Sequence, residues 1–148
     1  MHILSKFAAV TALTVMSTTS FAADDPIAAR QNIMKNVGAA MKAAGAMATG
    51  KAEYDALAAE LAVRTINSSA IGFPMFFPKG SETGGDTEAA PAIWSDMEGF
   101  SKSSAQLATD SATATEAAKG GMDTFKGAFF AMAKNCKACH EKFRIKKN

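Results

Sequence analysis

Near the C-terminal end of the 148-residue sequence stands Cys136-Lys137-Ala138-Cys139-His140. These residue types at this spacing point to covalent attachment of haem. Cysteines three apart share one face of a helix, so two thiols can add to the two vinyl groups along one side of a porphyrin. His140 stands about one turn from Cys136 and can bring an imidazole to the iron from that side. Two other uses of paired cysteines are a structural disulfide and a thioredoxin-like redox pair. The redox pair wants a βαβ context that the chain lacks, and neither use gives a role to the histidine directly after Cys139. Zinc fails by count. Beyond residue 22 the sequence holds two cysteines and one histidine, all inside the motif, whereas a structural zinc site usually takes four such ligands. The expectation is one haem c per chain, held by Cys136 and Cys139, with His140 as the proximal iron ligand. No acid, base or nucleophile constellation accompanies the motif, so the expected protein is not an enzyme.

Chemistry of this kind needs an exported chain, and residues 1–22 have the layout of a cleavable secretory signal. Lys6, with His2, makes a short cationic start, and the ten-residue, mostly apolar run from Phe7 to Met16 falls well short of the ~20 needed to span a bilayer. Ser20-Phe21-Ala22 offers small residues where a signal peptidase reads, which puts cleavage after Ala22 or, as second choice, after Ala23. The competing reading is an N-terminal membrane anchor. Cleavage after Ala22 leaves 126 residues (23–148), a length suited to one domain with one core. Loss of Lys6 from a total of 16 basic and 14 acidic residues leaves a net charge of +1. That balance argues neither for nucleic acid nor for an anionic membrane as partner, and no nucleic acid is expected. Lys142, Arg144, Lys146 and Lys147 crowd the end of the chain, either as a solvated helix terminus that suits the helix dipole or as a docking patch for an acidic redox partner.

The periodicity beyond the leader is helical throughout, so the fold class is all-α. Asp24-Asp25-Pro26 is a helix start, and the helix after it sets Ile27, Met34, Val37, Met41 and Ala48 on one face until Gly50. A second helix is expected from about Glu53 to Ala70, with Tyr54, Leu57, Leu61 and Thr65 as its stripe. Residues 72–90 hold two prolines and four glycines and read as a long loop. Phe73, Met75, Phe76 and Phe77 make its first half too apolar to be a free linker, so that half is expected to cover the haem end of the bundle. Pro91 opens a third helix with Ile93, Met97, Phe100, Ser104 and Leu107 facing inward, ended by Gly120-Gly121. The fourth runs from about Met122 to Arg144 with Phe125, Phe129, Met132, Cys136, Cys139 and Phe143 in one stripe. Such helices stack most simply as an up-down-up-down antiparallel four-helix bundle.

Over essentially its whole length beyond the leader, the chain resembles the class II c-type cytochromes, the cytochromes c′. The resemblance rests on Arg30-Gln31 followed by Met34, Gly50-Lys51-Ala52-Glu53-Tyr54-Asp55, Pro91-Ala92-Ile93-Trp94, and Cys136-Lys137-Ala138-Cys139-His140 with Phe143-Arg144 after it. It implies a periplasmic protein with Arg30 beside a haem propionate, Gln31 in the haem environment and Arg144 beside the proximal face of His140. Spacing alone sets Arg144 next to His140, four residues on.

The family divides on the sixth iron position. One branch leaves it open and binds small gases such as nitric oxide; the other fills it with methionine, which suits electron transfer. Only eight residues follow His140, so a sixth ligand must come from upstream. With no second histidine beyond the expected leader, the candidates are methionine, lysine, water or nothing. At ~1.5 Å of rise per residue, His140 lies about 7 Å from the finish of the fourth helix and Met34 about 12 Å from the start of the antiparallel first. Those levels match, with Met97 and Met75 left as rivals. The resemblance then favours Met34, which stands where the family has its distal residue. The expected function is one-electron transfer with redox partner proteins of the periplasm, as a monomer or homodimer and without stable membrane insertion. The alternatives are a gas-binding protein and a haem-free, disulfide-stapled bundle.

Overall fold

The structure, a computed structural model, describes residues 25–146; the expected leader and Lys147 lie outside them. Helix α1 spans Pro26–Ala48. The Asp25 carboxylate accepts hydrogen bonds from the Ile27 and Ala28 amides, both at 2.9 Å, and Pro26 occupies the first turn, where a missing N–H costs nothing. Beyond Thr49, Gly50 takes a φ of 71°, and the amides of Lys51 and Ala52 return to the Ala46 carbonyl. Helix α2 spans Ala56–Gly72, a few residues later than the expected start at Glu53, because Asp55 is the cap that receives the Ala58 amide at 2.7 Å.

The inner face of α2 differs from the expected one. Ala59, Val63, Ile66 and Ala70 are buried, whereas Leu57 and Leu61 are 64% and 54% exposed. Both rows recur every three or four residues, so period alone could not choose between them. The row with alanines at the crossings, Ala59 against Ala44, Ala48, Ala114 and Ala118 in one core cluster, is the one that permits close helix approach. Tyr54 lies ahead of α2, packs in a tilted arrangement with its ring centre 5.7 Å from that of Phe125 and donates its hydroxyl to the Ala118 carbonyl.

The 72–90 segment opens with a 3-10 turn at Phe73–Phe76. The expected third helix comes in two pieces, α3 (Ala92–Ser95) and α4 (Met97–Lys119). Asp96 breaks it with an extended φ and caps α4 by accepting the Gly99 amide at 2.9 Å. After Gly120-Gly121, α5 runs Met122–Phe143. The four long helices close a ring in which α1 packs on α2, α2 on α4, α4 on α5 and α5 back on α1, the last seam being the loosest. This is the expected four-helix bundle, with α3 as an added turn.

Two apolar clusters divide the interior. One fills the body of the bundle around Val63, Ile66, Phe125, Phe129 and Met132; burying each such side chain stabilises by roughly 1.5–3 kcal/mol. The other comprises Phe77, Ile93, Phe100 and Phe143, with Phe73, Phe76 and Cys139 against it. The aromatic half of the 72–90 segment therefore packs on the end of the bundle where the cysteine motif stands, as its composition suggested. Between the clusters the chain leaves room.

Candidate haem site

That room is a cavity of about 750 Å³, within the ~300–1,000 Å³ typical of cofactor pockets. Helix α5 brings Cys136, Cys139 and His140 to its wall, α1 brings Arg30, Gln31 and Met34, and Arg144 joins them from just beyond α5. All seven residues singled out in the sequence thus line one space. Around them the wall is largely apolar, with Val37, Met41, Phe73, Phe77, Phe100 and Leu107 among its residues.

Cys136 and Cys139 are free thiols. Burial pushes both above the usual thiol range, and for Cys139 the neighbouring Cys136 adds to the rise. A redox or nucleophilic cysteine is activated by a depressed value, and burial here acts in the opposite direction. His140 is held below its ordinary value, first by desolvation and then by the Arg144 cation, with Glu88 pulling the other way. It is therefore neutral near pH 7, the form that ligates iron. Among the described residues no cluster of three or more His, Cys, Asp or Glu side chains could hold a metal ion directly. Two thiols and an imidazole on one helix, facing an apolar cavity, fit a covalently held haem, whose porphyrin supplies the remaining iron donors.

The methionines sort themselves by place. Met34 and Met41 line the cavity, while Met47 and Met132 are buried in the bundle core. Neither rival to Met34 reaches the cavity wall: Met75 is 84% exposed, and Met97 packs on the second aromatic cluster. Met41 also lines the cavity, seven residues beyond Met34 on α1.

Arg30 is 4% exposed, a placement that costs several kcal/mol for a cation without compensation. Its Nη2 donates to the Ser81 carbonyl at 2.8 Å and to Thr87 Oγ1 at 2.7 Å, and its Nη1 to Ser81 Oγ at 3.1 Å. The guanidinium also lies over the rings of Phe77 and Trp94. Desolvation lowers its pKa against the pull of Asp25 and Glu82, yet an arginine stays charged. Gln31 donates to the Asp86 carbonyl at 3.0 Å. Arg144 pairs with Glu88 and donates its backbone amide to the His140 carbonyl; it sits one residue past the helix, in extended conformation. Two cations of the basic tail are thus paired, since Lys142 also pairs with Asp96 at 2.6 Å.

Sequence reasoning missed the partners in the 78–90 stretch: Ser81, Thr87 and Glu88. Small polar residues between glycines carry no periodic signal, and only the fold shows that they receive two arginines.

Residues 25–144 match the sequence profile of the family described as Cytochrome C'. A cytochrome c-556 of Agrobacterium tumefaciens (strain II Chrys) is 37% identical over 118 residues, 80% of this chain and 95% of its own length. A cytochrome c' of Rhodopseudomonas palustris is 35% identical over 144 residues, 97% of this chain and 98% of its own. The solved structure of cytochrome c' from Rhodopseudomonas palustris superposes with a TM-score of 0.79 at 36% identity, covering 84% of this chain and 98% of that one.

Proposed function

Since the chain belongs to the cytochrome c′ family, whose members carry covalent haem c as electron carriers or gas binders, we propose that it is a one-electron carrier with methionine at the sixth iron position. Its haem c, when bound, supplies the iron couple that takes up and releases a single electron. In this reading Cys136 and Cys139 hold the cofactor on α5, His140 is the proximal ligand and Met34 of α1 is the distal one. The observation that carries it is the sorting of methionines, because Met34 and Met41 share the cavity wall with all three motif residues while Met75 and Met97 do not, and of the two it is Met34 whose level along the antiparallel α1 matches that of His140 on α5. A thioether held on a rigid helix needs little movement between oxidation states, which keeps reorganisation small. The apolar wall excludes water, and Arg30 supplies a fixed positive charge in the cavity that suits a carboxylate of the cofactor.

Export to the periplasm by residues 1–22, with periplasmic redox proteins as partners, belongs to the same proposal. Among the described residues no helix is long and apolar enough to cross a membrane. Absorption spectra of the purified holoprotein in both oxidation states, with and without carbon monoxide, test the reading. Low-spin spectra indifferent to carbon monoxide support it. A high-spin haem that takes up the gas assigns the protein to the gas-binding branch.

A further inference from the structure

Two adjacent residues of the 78–90 stretch are tied to different helices. Thr87 Oγ1 accepts from Arg30 of α1 at 2.7 Å. Glu88 holds the Arg144 side chain by its carboxylate, and its carbonyl accepts the Ile145 amide at 2.8 Å, just past α5. The Ala90 amide, donating to the Phe143 carbonyl at 3.0 Å, closes a small antiparallel bridge between Ala89 and Arg144. Consecutive Cα atoms are ~3.8 Å apart, so a single peptide unit links the anchor on α1 to the anchor on α5. This link spans the seam where the two helices make the least direct contact.

Resting on the ligand assignment above, we propose that Thr87 and Glu88 form a positioning clamp, which fixes the gap between α1 and α5 at the width that lets Met34 and His140 serve one iron. Bundle packing alone does not set this gap, because the cavity itself separates the two helices there. Neither residue touches the reacting atoms in this account. They act through the helices that carry the ligands, and the stretch they belong to lines the cavity from Asp86 to Ala89. The Glu88–Arg144 pair is partly exposed, at 34% and 47% of the side chains, so its loss should leave the bundle folded.

The test compares holoprotein carrying Thr87→Val, Glu88→Gln or both with wild type, reading spin state and carbon monoxide affinity. Each single variant should shift the balance between closed and open iron roughly fivefold to tenfold toward the open form, the scale of one lost hydrogen bond, read as a high-spin fraction that takes up carbon monoxide, and the double variant more. Thr87→Ser, which keeps the acceptor, should restore the wild-type value. Asp96→Asn, which breaks the Lys142 pair at the same end of the bundle, should change neither readout, so a generally loosened fold is told apart from a released clamp. A low-spin wild type whose double variant stays low-spin and closed to carbon monoxide overturns the clamp and leaves the ligand assignment standing. A wild type already open to the gas overturns both.

Discussion

The guanidinium carbon of Arg30 lies 5.0 Å from the centre of the Phe77 ring, one buried cation against the aromatic cover of the cavity. Ser81 and Thr87 supply its hydrogen-bond acceptors, so this side chain fastens α1 to the 72–90 stretch from the inside. Arg30→Met keeps much of the bulk and removes the donors. It should destabilise the holoprotein by about 1–3 kcal/mol, the cost of leaving buried acceptors unpaired. Arg30→Lys should fall between, since one ammonium cannot reproduce the planar fork. Urea midpoints of the three proteins check the order.

Covalent attachment should depend on both thiols. Acid–acetone extraction of the native protein should leave all colour on the polypeptide, and the Cys136→Ser/Cys139→Ser double variant should give up any haem it binds to the solvent. Pigment extracted from the native protein would remove the basis of the site.

Acid should weaken the Asp96 junction between α4 and α5. Lys142 first, then the Gly99 amide, holds the Asp96 carboxyl below its usual value of 3.8. A carboxylate with a depressed folded pKa stabilises above its unfolded pKa, and that contribution is lost as pH falls through the lower folded value. Asp96→Asn retains a capping oxygen but not the charge. Its thermal midpoint should therefore lie below that of wild type near neutral pH and converge with it as the pH falls below the usual 3.8 and through the depressed folded value.

Gly121 should resist substitution. It joins α4 to α5 at φ 94° and ψ 175°, a region open essentially to glycine alone, so Gly121→Ala should cost about 1–3 kcal/mol. Equilibrium unfolding of the variant measures it directly.

The helix count, the motif and the cover formed by Phe73 and Phe77 were legible because each has a local signal: period, spacing, or apolar residues where a loop should be polar. The inner face of α2 was not. Leu57 and Leu61 are the bulkier row, yet the fold turns them outward, since helix–helix distance in an alanine-rich bundle favours the smaller one. The break at Asp96 was missed for another reason. An acidic residue inside a helical pattern looks ordinary until its carboxylate is seen capping a new helix. Nor could spacing show that Arg144 would leave the helix and turn to Glu88, a partner 56 residues away.

The central claim is that Met34 holds the sixth iron position, and the spectrum of the Met34→Ala holoprotein tests it most directly. Replacing the thioether with a methyl group should convert a low-spin spectrum to a high-spin one and open the iron to carbon monoxide. A Met34→Ala protein whose spectrum and indifference to carbon monoxide match those of wild type would show that the ligand is not Met34.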